Sequence, residues 1–169
     1  LYLAMYYIPP SRTVYQNVHT LLPAHILTWQ SGKIQTEAYW YPAYSQNASI
    51  SEEDAIERTR SLVRAAVHRQ MVSDVPIGAF LSGGLDSSTV VAHMAEVSEK
   101  PVKTFSVGFG DLINELPFAR EIAVRYQTEH HEIQMDISVR QMLEKMAKVY
   151  DEPFADSSNI PTYLLAQFA

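Results

Sequence analysis

The spacing of apolar positions changes along the chain, and each change marks an element. Ile56, Val63, Val67 and Met71 recur at helical spacing with Ala66 beside them, while Arg58, Arg60, Arg64 and Arg69 lie off that stripe. One helix with a solvated basic face is predicted there. Ser51 precedes Glu52, Glu53 and Asp54, an N-cap followed by first-turn acids that fixes where this helix begins. From Val75 onward, strand-length apolar runs alternate with longer amphipathic ones. Strands are predicted over 77–81, 102–108 and 130–135. Helices are predicted from the Gly83-Gly84 turn to about Ser98, and from Glu115 to about Gln127 with Pro117 near its start. A third runs from Ser138 to Tyr150, with Val139, Met142, Leu143, Met146 and Val149 inward. This alternation with short joins implies an α/β fold, a parallel sheet with flanking helices of Rossmann-like type. Ligands of such sheets bind beyond the carboxyl ends of the strands, so Ser82 and Gly108 are expected to face one cleft.

The first 44 residues are different text, crowded with Tyr2, Tyr6, Tyr7, Tyr15, Trp29, Tyr39, Trp40, Tyr41 and Tyr44. Two β-prone runs, 24–30 and 33–40, flank Ser31-Gly32 and predict a small β-hairpin, with Trp29 and Trp40 on its packed face. Residues 42–49 read as a linker. Two domains are therefore expected, 1–44 and 50–169. The apolar start ends at Pro9-Pro10, too short to span a bilayer and without a basic leader, so neither a signal nor a membrane segment is expected. Leu1 is not an initiator Met, and a fragment of a larger protein is expected.

Candidate chemistry concentrates in Ser82-Gly83-Gly84-Leu85-Asp86-Ser87-Ser88, between a strand and a helix start. A helix N-terminus aims unpaired N–H groups and a positive dipole end at one point, which suits phosphate. The glycines permit close approach, and the serines add short hydroxyl donors. Asp86 repels bare phosphate but makes sense as a ligand for Mg²⁺ sitting on the phosphates. No Lys follows Gly84 and Phe80 stands where a nucleophile elbow needs Gly, so two common loop types are excluded.

Composition narrows the field. The 169 residues carry a net charge of −6, which suggests no nucleic-acid partner, and they contain no Cys. That removes disulfides, thiolate metal sites and a Cys nucleophile, and it fits a reducing compartment, so a cytoplasmic location is expected. A second acidic cluster, Asp151, Glu152 and Asp156 with Ser157 and Ser158, fills a loop between two predicted helices. It suits Mg²⁺ or an amino-acid substrate, and equally a turn with an N-cap at Asp156 or Ser158. His130, His131 and Glu132 fall on one strand, where neighbours point to opposite faces, so a structural role is expected of them.

The 82–88 string resembles the pyrophosphate loop of ATP pyrophosphatases (adenine nucleotide alpha hydrolase-like). Together with Val75-Pro76-Ile77-Gly78-Ala79-Phe80-Leu81, Thr104-Phe105-Ser106-Val107-Gly108-Phe109, Glu115 with Phe118-Ala119-Arg120, Thr128-Glu129-His130-His131-Glu132 and Asp151-Glu152-Pro153-Phe154-Ala155-Asp156-Ser157-Ser158, it resembles the synthetase domain of glutamine-hydrolysing asparagine synthetases. Arg12-Thr13-Val14-Tyr15, Leu21-Leu22-Pro23-Ala24-His25 and Tyr39-Trp40 resemble the end of the preceding glutaminase domain. The resemblance implies ATP and Mg²⁺ as cofactors, with aspartate and glutamine-derived ammonia as substrates. It implies that Ser82, Gly83, Gly84, Asp86, Ser87 and Ser88 hold pyrophosphate, with Asp86 on the metal and Asp86 and Ser87 at the reacting phosphates. Phe80, Leu81 and Val107 would line the adenine pocket, partly through backbone groups. Asp151, Glu152, Asp156 and Ser157 would lie on the substrate side. No membrane partner is expected, and a homodimer is the expected assembly.

The 169 residues lack the family's Cys nucleophile and its second acidic motif, Ser-Gly-x-Gly-x-Asp-Glu. This chain alone is expected neither to hydrolyse glutamine nor to make asparagine. Alternatives are an amidotransferase for another carboxylate acceptor and a non-catalytic nucleotide-binding domain.

Overall fold

A computed structural model describes residues 2–44, 49–109, 114–135 and 138–169. The chain divides into two compact units, one formed by 1–48 with 143–157 and the other by 49–142 with 158–169.

In the first unit, a single helical turn α1 (Tyr2–Met5) precedes a two-stranded antiparallel hairpin, β1 (His25–Gln30) and β2 (Lys33–Ala38). Ser31 and Gly32 form its tip with φ 50° and 77°, the left-handed pair that matches the twist of the flanking strands. The hairpin exists where the sequence places it, but its expected packed face does not. Trp29 is 69% exposed and Trp40 59%, and Trp29 lies opposite Ile34, itself exposed. The expected linker, 42–49, falls partly outside the described residues.

In the second unit, α2 (Glu52–Gln70) starts as expected. The Ser51 hydroxyl accepts from Asp54 N–H at 3.1 Å. A three-stranded parallel sheet follows in the order β3 (Gly78–Phe80), β4 (Lys103–Phe109), β5 (Glu129–Met135). It is interleaved with α3 (Leu85–Val97) and α4 (Leu116–Tyr126). Strand β3 is shorter than expected, although Leu81 N–H still donates to Phe105 O at 2.9 Å.

Strand alternation divides the sheet residues between two faces. One face carries Ala79, Leu81, Thr104 and Ser106, and packs on α3 and α4 through a core of Leu81, Val91, Ala119 and Ala123. Val67 of α2 joins Met94 and Val102 in a second cluster. The other face carries Phe80, Phe105 and His131. Phe105 stacks on His131 and meets Phe168 of α6 (Asn159–Phe168) edge-on. The helix predicted over 138–150 is α5 (Val139–Val149). Met142 and Met146 are buried as expected, whereas Leu143 and Val149 are 60% and 50% exposed. The inward stripe is thus narrower than the sequence spacing suggests, and the Val139 side chain lies outside the described residues. Among the described residues, no helix is long and apolar enough to cross a membrane.

Candidate functional site

The loop between β3 and α3 is built around a closed circuit of hydrogen bonds. Gly84 N–H donates to Ser82 Oγ at 3.2 Å, and Ser82 and Ser87 share a hydroxyl bond at 2.9 Å. Ser87 Oγ–H donates to Gly84 O at 3.3 Å, and Ser82 N–H donates to Ser87 Oγ at 3.3 Å. These bonds are consistent if the Ser82 hydroxyl donates to Ser87, since each hydroxyl has one proton to give. The serine side chains therefore hold the loop's shape, while the amides of the helix start are left open. The N-cap of α3 is Gly84, which has no side chain to cap with. The first intrahelical bond runs from Ser88 N–H to Gly84 O at 3.0 Å, so the amides of Leu85, Asp86 and Ser87 precede the ladder and have no intrahelical partner.

The loop has fixed walls. Gly83 adopts φ 81°, and a Cβ placed there would lie 2.5 Å from Phe118 Cβ and 2.6 Å from Ala119 N. Only glycine fits, for conformation and for space together. A Cβ on Gly108 would come within 2.7 Å of Leu116 Cδ1, so the first turn of α4 closes over both strand ends. On the sheet side, Ser106 Oγ–H donates to Leu81 O. Gly83, next to Ser82, and Gly108 thus both pack against the start of α4, through Phe118 and Leu116.

The remaining predicted residues take different places. Asp86 is exposed in the first turn of α3. Phe80 and Val107 point to the same face of the sheet, at 45% exposed and half-buried respectively. Leu81 points to the opposite face, is 2% exposed, and has both backbone groups engaged, so its side chain is core. An apolar groove of about 450 Å³ runs along α2, α3 and β3 and includes Phe80, Ser87 and Val90. Ser88 Oγ is buried and has no hydrogen-bond partner. An orphaned hydroxyl beside open amides and an exposed carboxylate is a donor set that fits a phosphate–Mg²⁺ ligand. Asp151, Glu152, Asp156 and Ser157 are exposed in the other unit, where Tyr150 and Phe154 stack at 5.2 Å.

The histidine strand has the structural role that its alternation implies, and the contacts say what that role is. His130 Nδ1 lies 2.8 Å from Thr104 Oγ1 and its Nε2 lies 3.0 Å from Glu132 Oε1. His131 instead stacks on Phe105 and reaches Glu129. Arg120 of α4 grips Glu132 with Nε at 2.8 and 2.9 Å and Nη2 at 2.6 Å. Hydrogen bonds from the Arg120 guanidinium hold the Glu132 carboxyl below its ordinary value and raise Arg120 in turn. The sequence offers no signal for this pair beyond the residue types, because it joins positions twelve apart on different elements.

A family model described as Asparagine synthase matches residues 58–169. The chain is 36% identical to putative asparagine synthetase (glutamine-hydrolyzing) 2 of Methanocaldococcus jannaschii, covering 100% of this chain and 33% of that protein. It is 30% identical to asparagine synthetase (glutamine-hydrolyzing) 1 of Bacillus subtilis, covering 99% and 27%. The chain thus spans a third or less of the length of these relatives. An NH3-dependent NAD synthetase from Campylobacter jejuni, a solved structure, aligns at TM-score 0.41 and 18% identity, covering 70% of this chain and 52% of that one.

Proposed function

The chain belongs to the asparagine synthase family, and from that premise we propose that its 82–88 loop binds the phosphates of Mg²⁺-ATP for AMP-forming amide synthesis. The observation that carries this reading is the glycine-capped start of α3, whose amides stand open inside a loop that its own serines hold in shape. Preorganised donors of this kind stabilise charge without reorganising when the reaction occurs.

In the whole protein, the side-chain carboxylate of aspartate attacks the α-phosphorus of ATP. The bond to the bridging oxygen breaks, pyrophosphate leaves, and β-aspartyl-AMP forms. Ammonia derived from glutamine then attacks the acyl carbon, a proton is lost, and AMP departs with the electron pair. Asp86 would hold Mg²⁺, which when bound neutralises phosphate charge. Gly83, Gly84, Ser87 and Ser88 orient the leaving pyrophosphate, while Phe80 and Val107 offer apolar surface to the adenine. Asp151, Glu152, Asp156 and Ser157 are assigned to the acceptor side, and residues 1–44 to the end of a glutaminase domain. A thiolate-dependent glutamine hydrolysis is outside the chemistry of these 169 residues, which contain no Cys.

Calorimetric titration with Mg²⁺-ATP tests the site. The 169-residue chain is expected to bind, and Asp86→Asn to weaken binding by about tenfold through loss of a metal ligand. A folded Asp86→Asn variant with unchanged affinity would remove Asp86 from the metal site. A folded parent chain that does not bind would remove the nucleotide assignment from this loop.

A further inference from the structure

We propose that Arg120 and Glu132 are positioning residues for the glycine loop. Their fork-to-carboxylate pair sets where the first turn of α4 stands, and that turn is the wall against which Gly83 is shaped. The proposal rests on the reading of the loop as the nucleotide site.

The geometry leaves little slack between α4 and the loop. The space a Cβ would need at Gly83 is already filled by Phe118 and the Ala119 amide. Ala119 is fully buried against Leu81 and Val91, and the next residue along the chain is Arg120. A shift of α4 along or away from the sheet would therefore be felt at Gly83 directly. Arg120 prevents that shift by engaging both oxygens of Glu132 on β5. A bidentate guanidinium–carboxylate pair constrains orientation as well as distance.

Glu132 is in turn held by a chain of hydrogen bonds that leads back to the buried sheet. A carboxylate only accepts, so His130 Nε2–H donates to Oε1. Its Nδ1 bonds Thr104 Oγ1 at 2.8 Å. Thr104 Oγ1 and Thr128 Oγ1 share a hydroxyl bond at 2.8 Å. Thr104 is fully buried, which anchors this relay in the sheet. Ser106, the register partner of Glu132, fixes the Leu81 carbonyl at the loop's entry. One polar strip thus holds the loop at Leu81 and, through α4, at Gly83. Exposed ion pairs commonly contribute little. In this pair the Arg120 side chain is 59% exposed and the Glu132 side chain 19%, and Glu132 Oε1 also accepts from His130.

The test uses the 169-residue chain with Glu132→Gln and with Arg120→Lys, which keeps the charge but loses the fork. The readouts are amide exchange of Gly84 by NMR, measured without ligand, and Mg²⁺-ATP affinity by calorimetry. Val67→Ala, in the other core cluster, is the control for general loosening. Both pair variants are expected to speed Gly84 exchange and weaken Mg²⁺-ATP binding, each by about tenfold, since small displacements of positioned groups carry large effects. Val67→Ala is expected to lower global stability without singling out Gly84. Unchanged Gly84 exchange in the folded Arg120→Lys variant overturns the proposal, as does an equal change in Val67→Ala. If the parent chain does not bind Mg²⁺-ATP, the nucleotide reading fails, while Gly84 exchange still decides the positioning role.

Discussion

The Ser88 hydroxyl is buried without a partner, a condition that costs on the order of 1–3 kcal/mol in a folded protein. Its neighbours Ser82 and Ser87 are engaged with each other and with the loop backbone, so these three serines, alike in sequence, do different work. Ser82 and Ser87 shape the loop, and the proposed nucleotide site assigns Ser88 a ligand as its partner. Ser88→Ala is therefore expected to raise the stability of the unliganded chain by about 1 kcal/mol, because an unmet polar group is removed. It is expected at the same time to weaken Mg²⁺-ATP binding by about fivefold, the loss of one hydrogen bond to a charged ligand. Denaturant titration reads the first effect and calorimetry the second. A variant that is more stable but binds equally well would show that Ser88 takes no part in ligand recognition.

At the scale of elements, the tie between α4 and β5 is expected to make stability depend on pH. The Glu132 carboxyl is held below its ordinary value of 4.5, chiefly by hydrogen bonds from Arg120. A depressed folded-state pKa contributes stability that is fully present above the unfolded value and is lost as pH falls through the folded one. Glu132→Gln removes a titrating group, so its deficit relative to the parent is expected to be largest near neutrality and to shrink below pH 4.5. Thermal melts of both proteins across that range check the sign, and a deficit independent of pH would show that the pair does not stabilise through its charge. The helices and strands themselves are legible in the amino-acid sequence, since they follow from local signals. Ser51 with its acidic turn marks the start of α2, Pro117 marks the start of α4, and Ser31-Gly32 marks the hairpin tip. What is not legible there depends on partners distant along the chain. Leu81 adjoins the loop in the sequence yet turns into the core, Phe118 closes on Gly83 from α4, and Arg120 finds Glu132. The exposed faces of Trp29, Leu143 and Val149 show the same point in reverse, because apolar spacing states which residues can be buried and not whether a partner surface is there.

At the scale of the whole molecule, the loop, its α4 wall and the polar strip beneath them all belong to the unit formed by 49–142 and 158–169. Ligand binding to the loop should therefore be readable as folding free energy. A ligand that binds only the folded form stabilises it by about 2.7 kcal/mol at one hundred times its Kd. For a chain of this length that corresponds to a rise in Tm of roughly 5–10 °C. Mg²⁺-ATP at saturating concentration is expected to produce such a rise, and ATP with excess chelator a smaller one, because Asp86 then repels the phosphates instead of sharing a cation with them. Asp86→Asn separates site from scaffold. Asp86 is exposed, so its replacement should leave the unliganded transition within about 0.5 kcal/mol of the parent. With that repulsion removed, the variant should also lose the difference between the metal-bound and chelated conditions. A rise that survives unchanged in Asp86→Asn, with and without chelator, would place the nucleotide elsewhere on the molecule and leave the loop without its assigned cation.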